Sequence, residues 1–131
     1  MATIRRFEDL EIWQLSRELC REIFKIAENT NLRNNLKLFH QIDGSSGSIM
    51  DNIAEGFERN GNKEFVQFLS IAKASCGETR SQLYRLLDRQ FINEEKFEEL
   101  IQKTEELSKR ITAFIVYLKK SDLQGTKYIK P

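Results

Sequence analysis

The chain has 131 residues, 40% hydrophobic and 31% charged, with a net charge of +1. That is one domain's length of chain, residues 1–131, with enough apolar content to bury a core unaided by disulfides or metal. The near-neutral balance excludes binding to nucleic acid or anionic membrane through overall charge, so any such partner must be met by local patches.

The only proline is Pro131, so nothing inside the chain interrupts long helices. The first helix is expected over about 8–28. Its Ile12, Leu15, Leu19, Ile23 and Ile26 step by three and four, and Trp13, Cys20, Phe24 and Ala27 widen that stripe. Asn29-Thr30-Asn31 breaks the pattern. The second helix is expected over about 34–58, capped by Asn34 or Asn35. Gly44-Ser45-Ser46-Gly47-Ser48 reads locally as a loop. Yet Ile42, Ile49 and Ile53 hold one helical phase across it, which a loop has no reason to keep.

Asn60-Gly61-Asn62 is a turn, and the third helix follows over about 63–89 with Phe65, Leu69, Ala72, Cys76, Leu83 and Leu86 on one stripe. Asn93 caps the fourth helix, over about 94–120, with Glu94 and Glu95 in its first turn and Lys119 and Lys120 in its last, as the helix dipole favours. A polar, basic tail is expected from Ser121 to Pro131. Long helices joined by short connections specify an all-α, up-down-up-down antiparallel four-helix bundle. A hairpin turning at Asn60-Gly61 sets Gly44 opposite Gly77 and Gly47 opposite Ala74. Small residues on both sides then let the two backbones approach closely, offsetting glycine's helix cost of about 1 kcal/mol each. The same patch could instead admit a side chain of another subunit.

Catalytic machinery is not found. Cys20 and Cys76 stand far apart, and with His40 the only histidine, neither a Cys/His zinc site nor a pair of Glu-x-x-His motifs can be built. The cysteines read as buried, reduced thiols of a cytoplasmic protein. His40 has no partner spacing for a nucleophilic triad. The Gly44–Ser48 segment lacks the lysine and the preceding strand of a phosphate-binding loop. No apolar leader precedes Phe7 and no membrane-length apolar run occurs. No catalytic residue, metal ligand or cofactor is therefore expected.

Charge placement says more than net charge. From Asn93 to Ser108 there are two basic and six acidic residues; from Lys109 to Pro131 there are six basic and one acidic. In an up-down bundle one end gathers Arg5, Arg6, Arg59, Lys63, Lys119, Lys120, Lys127 and Lys130, diluted by nearby acids. The third helix adds Lys73 and Arg80 on one line and Arg85 and Arg89 on another. Such patches can neutralise phosphates, and lysines at helix C-termini also simply complement the dipole. Asn52, Glu55 and Arg59 share one polar face, either as a solvated face with a Glu55–Arg59 pair or as a partly buried network that sets register.

Phe7-Glu8-Asp9-Leu10-Glu11-Ile12-Trp13-Gln14 resembles the opening of the four-helix-bundle family encoded in 23S rRNA intervening sequences of bacteria. Ser48-Ile49-Met50-Asp51-Asn52-Ile53-Ala54-Glu55-Gly56-Phe57 is similar to its signature, and Phe65 to Ala72 with Ser75-Cys76-Gly77-Glu78 to its third-helix pattern. The resemblance runs from about Phe7 to Leu118. It implies a bundle without known enzymatic activity. Through related accessory variability determinants of diversity-generating retroelements, it implies ring-like homopentamers whose basic surfaces bind nucleic acid and a reverse transcriptase. Matched residue by residue, Trp13, Ser48, Asn52, Glu55 and Gly56 fall on signature positions, where the resemblance implies a structural role. The basic residues do not, so their role is not carried over. Function is thus expected to lie in assembly and in binding RNA or DNA. The alternative is a structural or protein-binding oligomer whose contacts are aromatic side chains such as Trp13, Phe24, Phe57 and Tyr84.

Overall fold

The computed structural model describes residues 4–123. Four α-helices form the described chain: α1 Glu11–Asn29, α2 Leu36–Glu58, α3 Asn62–Asp88 and α4 Glu94–Leu123. Short 3-10 turns occupy Phe7–Asp9 and Asn31–Asn34. Each helix packs on its neighbours around a ring, α1 on α2, α2 on α3, α3 on α4 and α4 on α1, while the diagonal pairs stay apart. This is the up-down-up-down bundle, with α2–α3 the richest seam and α1–α4 the sparsest.

Local chemistry explains the boundaries. The first helix starts three residues later than its periodicity suggests, because Phe7–Asp9 forms a 3-10 turn and Leu10 stands between in extended conformation. Thr30 Oγ1 accepts a hydrogen bond from the Leu32 amide (3.1 Å) and opens the second 3-10 turn, which buries Leu32. Asn35 Oδ1 caps α2 by accepting from the Leu38 amide at 3.4 Å, and Asn93 Oδ1 caps α4 by accepting from Lys96 at 2.8 Å. Gly61 turns α2 into α3 with φ +104°, a left-handed backbone that glycine alone adopts freely. At its other end α4 continues through Ser121, which is buried, to Leu123, so the helix is longer than its basic last turn suggests. The remainder of the expected tail, with Lys127 and Lys130, lies outside the described residues.

The core is a column of fully buried side chains, among them Leu19, Ile23, Ile42, Ile49, Leu69 and Leu100. Burying each such side chain contributes about 1.5–3 kcal/mol. α2 is helical through Gly44–Ser48, as its phase requires. The expected close approach at that level is corrected by the structure. A Cβ built on Gly44, Gly47 or Gly77 meets nothing within 4 Å. These glycines point outward, and the seam beside them is filled by hydroxyls. Ser45 Oγ lies 2.8 Å from Thr79 Oγ1 and donates to Gln82 Oε1 at 2.5 Å, and Ser48 Oγ lies 2.9 Å from Ser75 Oγ. Ser45 thus meets Thr79, nearly one turn beyond the Cys76 that a simple mirror about the turn sets opposite it. Side chains on a helix lean toward its N-terminus, so the contacting residue of each antiparallel partner lies C-terminal to the mirror position. The tight approach lies at Gly56, where a Cβ would stand 2.7 Å from Phe68 Cβ and 2.9 Å from Phe65 Cδ1.

Candidate nucleic-acid interface

The basic residues divide into three groups by position. Lys73 and Arg80 of α3 face Lys109 and Lys119 of α4 across a shallow groove. Ser70, Ala74, Ser108, Thr112, Ile115 and Val116 line it between the cations, with Glu105 at the Arg80 end. Arg80 is 3.9 Å from Glu105, and both are half exposed. Lys73, Lys109 and Lys119 make no ion pair among the described residues. Lys109 was not singled out by its spacing. Its signal was the switch of the fourth helix from acidic to basic, which begins at that residue.

Arg5, Arg6, Arg59, Lys63, Lys119 and Lys120 are all exposed at the end of the bundle where the α2–α3 turn meets the end of α4. Asn62 ties these elements together, donating from its buried side chain to the Leu118 carbonyl at 3.4 Å. Two of the arginines are already engaged. Arg6 pairs with Asp9 at 3.4 Å, and Arg59 donates to Glu55 at 2.8 Å while approaching Glu64 at 3.9 Å. Donating that hydrogen bond to the Glu55 carboxylate raises the Arg59 pKa above its ordinary value. Its guanidinium also lies over the Phe68 ring at 5.0 Å. The third group lies away from the groove. Arg85 donates to Gln41 Oε1 at 2.8 Å across the α2–α3 seam, and Arg89 caps the far end of α3.

The signature positions fall into different environments. Asn52 Nδ2 donates to the Ser48 carbonyl at 2.8 Å and to Ser48 Oγ at 2.9 Å, and Ser48 reaches Ser75 of α3. These three form a half-buried network across the seam. Glu55 and Arg59 form an exposed pair instead, so the polar face of α2 is network at one end and solvated pair at the other. Gly56 is the buried contact with α3. Trp13 is half-buried, edge-on to Phe7 at a ring separation of 5.2 Å.

The nucleophile candidates are quiet. Burial pushes the Cys76 thiol up to about 11 against a partial opposing pull from Arg80, and its Sγ donates to the Thr104 carbonyl at 3.2 Å. Burial also raises Cys20. Both therefore stay protonated near neutral pH and are poor nucleophiles. His40 is exposed, with its ring tilted on Phe39. Among the described residues no group of three His, Cys, Asp or Glu side chains is placed to hold a metal ion, and no helix is long and apolar enough to cross a membrane.

A family model described as 23S rRNA-intervening sequence protein matches residues 8–113. Among solved structures the chain is similar to a protein of unknown function from the S23 ribosomal protein family of Bacteroides thetaiotaomicron. The two are 26% identical, with a TM-score of 0.71, over 79% of this chain and 97% of that one. No curated protein matches the chain.

Proposed function

The chain belongs to the 23S rRNA-intervening sequence protein family, and from that premise we propose that it is a non-enzymatic, self-assembling bundle that holds RNA or DNA in the α3–α4 groove. One observation carries this reading: Lys73, Lys109 and Lys119 rim one groove, lined between them by Thr112, Ile115 and Val116, and none of the three has a carboxylate partner among the described residues. A lysine already paired must give up that partner to bind a phosphate, whereas these three need only release counterions. Arg80, held loosely by Glu105, adds a fourth donor on the same line as Lys73. Assembly strengthens the effect, since each copy repeats the groove and several weak contacts act together. The protonated thiols and the exposed histidine support a binding role over a catalytic one.

A gel-shift titration at several salt concentrations tests the groove. The wild-type chain is expected to bind RNA or DNA with an affinity that falls as salt rises. The variant Lys73→Ser/Lys109→Ser/Lys119→Ser is expected to lower the slope of log affinity against log salt by roughly 2. An unchanged slope in the triple variant, or no binding by wild type at low salt, removes the groove as the site.

A further inference from the structure

α1 carries a second set of cations that the groove leaves unused. Trp13, Arg17, Arg21 and Phe24 follow at steps of four, four and three, so they line one stripe of the helix. The Arg17 guanidinium lies over the Trp13 ring at 5.8 Å. Arg33, from the turn after α1, lies over the Phe24 ring at 5.2 Å, and Phe24 is 45% exposed. Arg17, Arg21 and Arg33 make no ion pair among the described residues. Glu8 and Glu18 border the same surface as Trp13, Arg17 and Arg21, and Glu18 is engaged by Lys103 of α4. Asp43 and Asp51 of α2 are the opposing charges, close enough to Cys20 to raise its thiol.

An arginine held over an aromatic ring by cation–π attraction uses none of its N–H donors there, which leaves them for a phosphate. Its outer plane and the ring beside it offer surfaces on which a base can stack. From Trp13 to Phe24 the stripe is about 16 Å long at the helical rise of 1.5 Å per residue. A duplex hides the faces of its bases; an unpaired strand presents them. We propose that this stripe is a stacking platform for single-stranded nucleic acid, separate from the α3–α4 groove. α1 and α3 are diagonal in the bundle, so the two surfaces lie on different sides. The platform rests on the nucleic-acid reading above for the class of its ligand and adds the strand form it selects.

Trp13 is the only tryptophan, so its fluorescence reports directly on the platform. Titrating the full chain with a short oligouridylate at low salt is expected to quench that emission, and added salt to restore it. A blunt RNA duplex is expected to leave it unchanged. Arg17→Ser/Arg21→Ser, with helicity by circular dichroism unaltered, is expected to lose roughly tenfold in oligouridylate affinity and to keep duplex binding. Lys73→Ser/Lys109→Ser is expected to show the reverse. If the arginine variant binds oligouridylate as wild type does, or if a gel shift occurs without quenching, the platform is wrong and the groove stands. If the lysine variant keeps duplex binding while the arginine variant loses the single strand, the groove is wrong and the platform stands. An emission change that follows protein concentration without RNA, together with a rise in scattering mass that the arginine variant abolishes, means that a second copy covers the stripe and overturns the platform.

Discussion

Gly56 and Gly44 sit on the same helix and answer opposite demands. Gly56 leaves the space that the Phe65 and Phe68 side chains of α3 need, while Gly44 faces open space. Gly56→Ala adds a methyl 2.7 Å from Phe68 Cβ, an overpacking cost of about 1–3 kcal/mol that exceeds alanine's better helix propensity. Gly44→Ala and Gly77→Ala add a methyl in free space and are expected to stabilise by about 0.5–1 kcal/mol each. Urea unfolding of the three variants checks the signs, and a stabilised Gly56→Ala defeats the packing account. The difference was partly legible. Ile42, Ile49, Ile53 and Gly56 step by seven, four and three, which places Gly56 on the buried stripe and Gly44 off it. Composition drew attention to the glycine-serine run instead, and composition does not encode angle. The Ser45–Thr79–Gln82 contact was hidden for a different reason: side-chain lean shifts each partner from its mirror position, so pairing cannot be read by counting from the turn.

α1 shows how one helix meets two unlike neighbours. Its flank toward α4 carries Glu11, Glu18 and Glu22, which pair with Arg110, Lys103 and Lys96. The acids and bases repeat along the two helices so that an antiparallel ladder of ion pairs closes the sparsest seam. The hydrogen bond that Lys103 Nζ donates to Glu18 Oε1, 2.5 Å long, raises the lysine above its ordinary pKa. The pair is partly exposed, so its net contribution is about 0.2–1 kcal/mol after solvent screening. Glu18→Lys is expected to destabilise by about 1 kcal/mol through like-charge repulsion with Lys103, and Glu18→Lys/Lys103→Glu to recover most of it. Thermal unfolding at low salt measures both; a swap that fails to recover stability means that the ladder does not couple the helices. The helices themselves were legible because apolar periodicity survives every local irregularity. The ladder was not, since an exposed Glu on one helix names no partner until the bundle closes.

At the scale of the whole molecule, charge is sorted by side. The α3–α4 groove is basic, while α2 from Gln41 to Glu58 contains no basic residue. The basic residues were visible in the sequence but their grouping was not. Lys73 and Arg80 meet Lys109, and Lys73 meets Lys119, only because α3 packs on α4, and the same folding sends Arg85 and Arg89 elsewhere. Light scattering is expected to give a mass several times that of the 15.4 kDa chain. A single-chain mass at every concentration removes assembly and with it the repetition of the groove. The ring of helix seams also orders the events of folding. Three seams join helices adjacent in the chain and fill with apolar or hydroxyl contacts as each hairpin forms; the fourth, α1 on α4, joins the two ends of the chain. Contacts between near neighbours close quickly because little loop entropy is lost, whereas the end-to-end seam costs the most entropy. Ion pairs rim that last, costly closure, while the apolar faces behind them, with Leu19 and Ile23 on α1 and Leu100 and Ile111 on α4, stay in water until it is complete, so the unclosed chain is the species most open to aggregation.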